Sequence, residues 1–351
     1  MSWKRSEPGG ETNVRAMICG TTALESLENE LEDFIVTTME LPWSLARGRI
    51  GAAPKAILYA DSMERDDLEL QIENAPPASM VLALGGGRAV DLGKYLAWRR
   101  GLRLVTVPSV LSVDAFVTPA AGIRQQGQVV YVGEATPDPL VIDYELLRTA
   151  PSWMNVSGVG DLLSIHTATH DWELARDAGK SEYPFSESAV GRARLILNGV
   201  REKRDAIRLN SDAGLQAIVD GYLQVNEICL PAGHYRVEEG SEHYLFYELE
   251  ERLRRPFMHG PIVGLGIAVL SALQENDPEG VVGLMRQLGL PFEPGHLGID
   301  RPTLTASLLA LRDYVRRRED LWYTVIDERP LSEDWIHRVL EGLDFDVPRI
   351  D

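Results

Sequence analysis

Pro151 divides this chain into two stretches whose hydrophobic patterns cannot serve the same architecture. Before it, short apolar, partly β-branched runs alternate with helical or polar sequence: Ile35 to Thr38, Ala56 to Ala60, Met80 to Leu84, Leu102 to Val107 and Leu140 to Asp143. Runs of that length predict buried strands, and the spacers predict crossover helices, so a parallel sheet is the expected assembly. The stretch Ala23 to Phe34 places Leu24, Leu27 and Leu31 at amphipathic helical spacing and predicts a helix. After Pro151 strand signals vanish to about residue 321. Amphipathic patterns there predict helices over 188–204, 213–227 and 242–254, interrupted at Pro231, Pro256 and Pro278, with another over 331–343. The fold class is therefore an α/β amino-terminal domain, residues 1–150, followed by an all-α carboxy-terminal domain, residues 151–351. The acidic run from Asp66 to Glu73 reads as a solvated helix face.

Length permits this division, since 351 residues suffice for two domains of ordinary size. The 35 Lys and Arg against 53 Asp and Glu leave a net charge of −18, which argues against nucleic acid or an anionic membrane as partner. Two cysteines, Cys19 and Cys229, make no disulfide framework and lack metal-type spacing. The first ten residues have no apolar core of signal-peptide length, and no run approaches the roughly 18 apolar residues of a membrane span. The expectation is a soluble, cytoplasmic protein.

Three residues stand out as candidate metal ligands. His243 and His259 lie sixteen residues apart, both near glycine, and Asp161 follows the turn Gly158-Val159-Gly160. A carboxylate and two imidazoles can hold a divalent cation and leave a position open for water or substrate. The spacing alone does not distinguish this from three unrelated polar residues. Gly85-Gly86-Gly87, directly after the third strand, can present backbone N–H groups to phosphate at a helix start. It matches neither the dinucleotide fingerprint nor a Walker loop, and Asp91 and Lys94 can equally cap or solvate the helix. His166 and His170 share a helix face, but no glutamate follows His166 as a metalloprotease requires, which favours packing or exposure.

The joint order of these segments is more specific than any one of them. Gly85-Gly86-Gly87 with Asp91 and Lys94, Val107-Pro108-Ser109, Ser112-Val113-Asp114, Gly158-Val159-Gly160-Asp161, Ser241-Glu242-His243 and His259-Gly260 follow one another along the chain. Together they resemble the glycerol-1-phosphate dehydrogenase branch of the superfamily containing iron-type alcohol dehydrogenases, glycerol dehydrogenases and dehydroquinate synthases, from roughly residue 20 to beyond 270. The resemblance implies a dehydroquinate synthase-like fold with a nucleotide-binding sheet and a helical metal-binding domain. It implies that Asp161, His243 and His259 hold a metal, zinc first, with nickel or iron as alternatives. It assigns Gly85, Gly86, Gly87, Asp91 and Lys94 to the cofactor's pyrophosphate side, and Ser109, Ser112 and Thr118 to contacts with NAD or NADP. Asp114 matches a substrate-contacting aspartate. The implied reaction interconverts a small polyol or polyol phosphate and its ketone, with glycerol 1-phosphate and dihydroxyacetone phosphate the nearest match, and the implied assembly is a homodimer.

Departures from the pattern bear on specificity. Where glycerol-1-phosphate dehydrogenases usually carry a substrate-contacting histidine four residues after the first histidine ligand, this chain has Tyr247, which can donate a hydrogen bond but brings no positive charge. Relatives commonly place a charged or amide residue at the slot of Pro261 or Ile262. Thr37-Thr38 stands where many have a ribose-binding aspartate, so NADP stays open beside NAD. Ile165 occupies the slot of an iron-type ligand, which speaks against that branch. Arg236 is the candidate phosphate fork, with His234 beside it. Two alternatives remain. A carbocyclic sugar-phosphate synthase of the dehydroquinate synthase type is disfavoured because Thr118-Pro119-Ala120-Ala121-Gly122 lacks the Gly-Gly-Lys of those enzymes. A non-catalytic homologue is disfavoured by retention of all three ligand positions.

Overall fold

The computed structural model describes residues 4–6 and 12–350, so most of the amino-terminal stretch read above for a leader lies outside the described residues. The chain forms two compact units, one of Met1–Asn155 with Tyr222–Leu230, the other of Val156–Gly221 with Pro231–Asp351.

Among the described residues of the first unit, the strands are β1 (Lys4–Ser6), β2 (Met17–Gly20), β3 (Phe34–Thr38), β4 (Ala56–Tyr59), β5 (Met80–Gly85), β6 (Arg103–Pro108), β7 (Ala121–Gln125), β8 (Gln128–Val132) and β9 (Pro137–Asp143). The helices are α1 (Glu40–Ile50), α2 (Arg65–Asn74), α3 (Gly87–Arg100) and α4 (Tyr144–Thr149). The sheet order is β1-β2-β9-β6-β5-β3-β4, parallel throughout except for the antiparallel edge strand β1. Alternate residues of the central strands feed two cores. Val36, Leu82, Leu84, Val105 and Val107 pack with Leu24, Trp43 and Ile50, whereas Ile35, Val81, Ala83 and Leu104 pack with Leu68, Leu92 and Leu96. Burial on both faces is why these strands read as continuous apolar runs rather than alternating ones. From β3 the chain steps outward to β4, then returns past β3 to β5 and continues to β6. That reversal puts a switch point at the carboxyl ends of β3 and β5, the usual crevice for a nucleotide in such sheets.

Two local expectations fail here. The helix expected over residues 23–34 is a short 3-10 segment, Ala23–Asn29. Leu24, Leu27 and Leu31 are all buried, and the buried carboxylate of Asp143 accepts from the Leu24 N–H at 2.9 Å while Arg49 holds the same oxygen at 2.7 Å. Tertiary anchoring of the segment's start thus overrides its helical spacing. The antiparallel pair β7–β8 was not anticipated; its two-residue turn uses positive φ at Gln126 and Gly127, the twist-matched hairpin geometry.

The remaining helices are α5 (Ser152–Val156), α6 (Val159–Asp177), α7 (Glu187–Glu202), α8 (Arg204–Arg208), α9 (Asp212–Ala232), α10 (Ser241–Leu253), α11 (His259–Gln274), α12 (Pro278–Leu288), α13 (Arg301–Arg316), α14 (Val325–Glu328) and α15 (Glu333–Glu341). α11 is buried along nearly its whole length, the signature of a helix apolar on all sides at the centre of a bundle. Ile262, Leu265, Val269 and Leu273 of α11 share a core with Leu245 and Leu249 of α10 and Leu304, Leu308 and Leu311 of α13. Among the described residues, no helix is long and apolar enough to cross a membrane.

Candidate functional site

Three helices of the second unit meet through glycines. Gly160, beside Asp161 in the first turn of α6, lies against Gly260 of α11, where a Cβ would fall 2.5 Å from the Gly260 Cα. A Cβ on Gly260 would in turn overlap the Ser157 carbonyl oxygen, and one on Gly266 would overlap the Glu242 carbonyl oxygen of α10. Gly240, just before α10, leaves room for Ala168 and Asp171 of α6. The backbones approach to distances that any other residue would prevent. Because Asp161, His243 and His259 each sit next to or near one of these contacts, the approach of backbones is what gathers their side chains.

The result is a compact donor set. One ligand atom from each of Asp161, His243 and His259 lies within 4.8 Å of the other two. His259 Nε2 is 2.9 Å from Asp161 Oδ1, and the His243 and His259 rings are 5.3 Å apart. Asp161 and His243 are buried and His259 is half-buried. The Asp161 carboxylate stands at the positive end of α6, which favours its ionised form. Borderline nitrogen donors with one carboxylate suit a first-row divalent cation, so the residues present fit the metal that the sequence pattern implies.

Two acidic residues around this set were given no role from sequence. Glu242, fully buried, places Oε1 2.8 Å from His243 Nδ1, and the same oxygen accepts from the Gly240 N–H at 2.6 Å. Burial opposes charge on His243, but the hydrogen bond and charge of Glu242, with the charges of Glu239 and Asp161, outweigh it and raise the imidazole to about 9 in the metal-free protein. Burial pushes the Glu239 carboxyl up against the pull of His243 and His259. The one sequence signal for this shell was the density of acids, Glu238, Glu239 and Glu242, just ahead of His243. Tyr247 follows one turn after His243, with ring centroids 6.3 Å apart.

The cofactor candidates belong to the first unit. Gly86 caps α3 without a side-chain hydrogen bond, and Gly85 takes φ +150°. A Cβ on Gly86 would press Val110 at 3.1 Å, and one on Gly87 would press Val113 at 2.8 Å. The Ser109 N–H donates to the Gly85 carbonyl at 3.0 Å, tying the next strand's end to the glycine turn. Ser112 is half-buried nearby in sequence, and Asp114 opens a short 3-10 turn whose carbonyl accepts from Val117 and Thr118. Asp91 and Lys94 form an ion pair at 2.8 Å, and the buried Lys94 ammonium also reaches the Ala120 carbonyl at 2.5 Å and the Thr118 hydroxyl at 3.4 Å. Burial pushes the Asp91 carboxyl up while Lys94 pulls it down.

Residues 40–151 match the family model described as iron-containing alcohol dehydrogenase. A curated glycerol-1-phosphate dehydrogenase [NAD(P)+] of Thermococcus kodakarensis is 27% identical over 93% of this chain and 88% of its own length. One from Aeropyrum pernix is 28% identical over 78% of this chain and 75% of its own. The chain is thus similar to glycerol-1-phosphate dehydrogenases over most of its length, and to the iron-containing alcohol dehydrogenase model over residues 40–151. The fold agrees: the structure is similar to glycerol dehydrogenase from Schizosaccharomyces pombe, with TM-score 0.73 and 17% identity over 100% of this chain and 99% of that one. A probable glycerol dehydrogenase from Sinorhizobium meliloti gives TM-score 0.71 at 19% identity, covering 97% and 98%.

One further expectation fails in the second unit. Arg236 is not a phosphate fork open to a ligand: it is fully buried, donates to the Tyr323 carbonyl at 2.5 Å and the Asp171 carbonyl at 3.4 Å, and lies over the Trp322 ring. His234 stacks on Tyr183 at 4.2 Å between centroids. His166 is engaged with the Asn276 carbonyl at 2.6 Å.

Proposed function

We propose that this protein is a metal-dependent, NAD(P)-linked dehydrogenase interconverting a small polyol or polyol phosphate and its ketone, with glycerol 1-phosphate and dihydroxyacetone phosphate the nearest pair. The observation that carries this reading is the convergence within 4.8 Å of Asp161, on α6, with His243 and His259, on the consecutive but distant helices α10 and α11. Their order within a chain similar to glycerol-1-phosphate dehydrogenases supports it.

Bound at these residues, a divalent cation supplies Lewis acidity toward the reacting oxygen, while a nicotinamide carries the hydride. Asp161 contributes the single negative charge of the donor set, and the imidazoles of His243 and His259 contribute none when neutral, so the set does not quench that acidity. Gly85 to Gly87 and the uncapped first amides of α3 receive the cofactor's pyrophosphate. At the end of β3, the Thr37 hydroxyl donates to the Ala89 carbonyl at 2.9 Å, and Thr37-Thr38 takes the slot where a ribose-binding aspartate would repel a 2′-phosphate. Use of both NAD and NADP follows. Lys94, paired with Asp91, positions the 118–120 segment, Ser109, Ser112 and Thr118 contact the dinucleotide, and Asp114 and the Tyr247 hydroxyl orient substrate.

The protein works as a cytoplasmic homodimer in this reading. The test is a panel of dihydroxyacetone phosphate, dihydroxyacetone and related ketones with NADH and NADPH and with zinc, nickel and iron. Reduction of a small hydroxyketone or its phosphate, dependent on added metal, supports the reading. Protein that binds no metal and leaves reduced nicotinamide fluorescence unchanged sinks it.

A further inference from the structure

Glu242 is buried completely, yet its carboxylate is not fully satisfied. Oε1 is shared between the Gly240 N–H at 2.6 Å and His243 Nδ1 at 2.8 Å, while Oε2 has no hydrogen-bond partner among the described residues. Withdrawing a carboxylate from water costs several kcal/mol, and a single backbone N–H does not offset it. An amide or an apolar side chain would serve packing alone at lower cost. The remaining partner of Glu242 is the imidazole ring, and that partner explains why a carboxylate is kept.

We propose that Glu242 is the positioning residue of the metal centre: it holds the Nδ1–H of His243, fixes the ring's orientation, and leaves Nε2 as its donor toward the cation. The inference rests on the reading of Asp161, His243 and His259 as ligands. A carboxylate on the far nitrogen selects the tautomer and raises the basicity of the nitrogen that binds metal. The surroundings hold Glu242 in turn. The Ser241 N–H donates to Asp171 Oδ2 at 2.8 Å, pinning the start of α10, and Gly240 keeps the space that Glu242 Oε2 fills. Gly266 lets α11 pack against the Glu242 backbone, so the carboxylate is set by three helices rather than by its own rotamer.

The experiment titrates metal-depleted protein with zinc and separately with cobalt, for wild type, Glu242→Gln, Glu242→Leu and His243→Ala, with circular dichroism to verify folding. Glu242→Leu is expected to weaken zinc binding by about 10–100-fold and to alter the cobalt d–d spectrum. Glu242→Gln, whose amide oxygen still accepts the Nδ1–H bond, is expected to recover most of that loss. Wild-type zinc affinity and an unchanged cobalt spectrum in folded Glu242→Leu, with binding lost in His243→Ala, would overturn the positioning role and leave the ligand reading standing. Unchanged zinc binding in His243→Ala would overturn both. Should the leucine variant not fold, long-range proton–nitrogen NMR of zinc-loaded wild type decides: His243 protonated at Nδ1 supports the role, and protonation at Nε2 refutes it.

Discussion

Gly160 and Gly260 touch backbone to backbone, and the next side chains along, Asp161 after one and His259 before the other, are 2.9 Å apart. The helix contact and the side-chain contact are thus one structural fact. An alanine at either glycine gains about 1 kcal/mol of helix propensity. Against this, its Cβ meets main chain that cannot rotate away, and such overpacking costs about 1–3 kcal/mol. The clash wins. Gly160→Ala and Gly260→Ala should each lower unfolding stability, by up to about 2 kcal/mol net, and reduce bound metal, measured by urea denaturation and metal analysis. Because both crowd one contact, the double variant should lose less than the sum. Full metal content and undiminished stability in both would show that the approach is not needed.

His259→Ala removes a donor 2.9 Å from Asp161 and should abolish stoichiometric metal binding, reducing turnover by more than about 100-fold. The overall fold should survive, since His259 is half-buried and lies at the first residue of α11 rather than in its core. Near-normal turnover with an intact circular dichroism spectrum would remove His259 from the ligand set.

Tyr247 tests substrate choice. Removing its hydroxyl in Tyr247→Phe should cost about 1–2 kcal/mol of transition-state binding, roughly a tenfold drop in kcat/KM, if it donates to a substrate oxygen. Tyr247→His should shift preference toward a phosphorylated ketone, because imidazolium can face phosphate and phenol cannot. Identical ratios for dihydroxyacetone phosphate over dihydroxyacetone in wild type and Tyr247→His would place the residue outside the specificity determinants.

Gly86→Val separates the cofactor from the metal. The added side chain would crowd Val110 at the cap of α3, where the amides are to receive phosphate. The dissociation constant for reduced nicotinamide should rise by about tenfold or more while zinc binding stays as in wild type. Fluorescence titration checks the first and calorimetry the second. Equal NADH affinity would move the pyrophosphate away from this turn.

His166 makes stability depend on mild acid. Burial lowers its pKa, against the hydrogen bond to the Asn276 carbonyl. A depressed folded value means the unfolded chain takes up the proton first, so stability is full above the unfolded value of about 6.5 and declines as pH falls from there toward the folded value. Urea midpoints should therefore fall between about pH 7 and pH 5, and fall less in His166→Gln. An equal decline in both proteins would assign the acid sensitivity elsewhere.

Much of the sheet was legible before any coordinates. The strands from Phe34, Met80 and Arg103 show as apolar runs because both faces of a parallel sheet are covered; the strand from Ala56, expected to be buried, is instead a half-buried edge strand with Tyr59 exposed. The strand Met17–Gly20 and the hairpin pair Ala121–Gln125 and Gln128–Val132 did not show: the first is short, Ala121–Gln125 carries Gly122, Arg124 and Gln125, and Gln128–Val132 lies outside the main sheet with none of its residues fully buried. The 3-10 form of Ala23–Asn29 depended on Asp143, more than a hundred residues away, and no local spacing encodes such a partner. Arg236 was misread for the same reason, since its carbonyl partners Asp171 and Tyr323 are distant in sequence.

By itself, the sequence determined the alternation that builds the sheet, the helical character beyond Pro151, and the identity and order of Asp161, His243 and His259. Those are properties of residue type and spacing along one line. Only the tertiary structure decided that the three side chains converge, that glycines at the helix contacts bring them together, and that Glu242 meets His243 at Nδ1. Convergence depends on how closely backbones from distant segments approach, and that distance is set by packing in three dimensions.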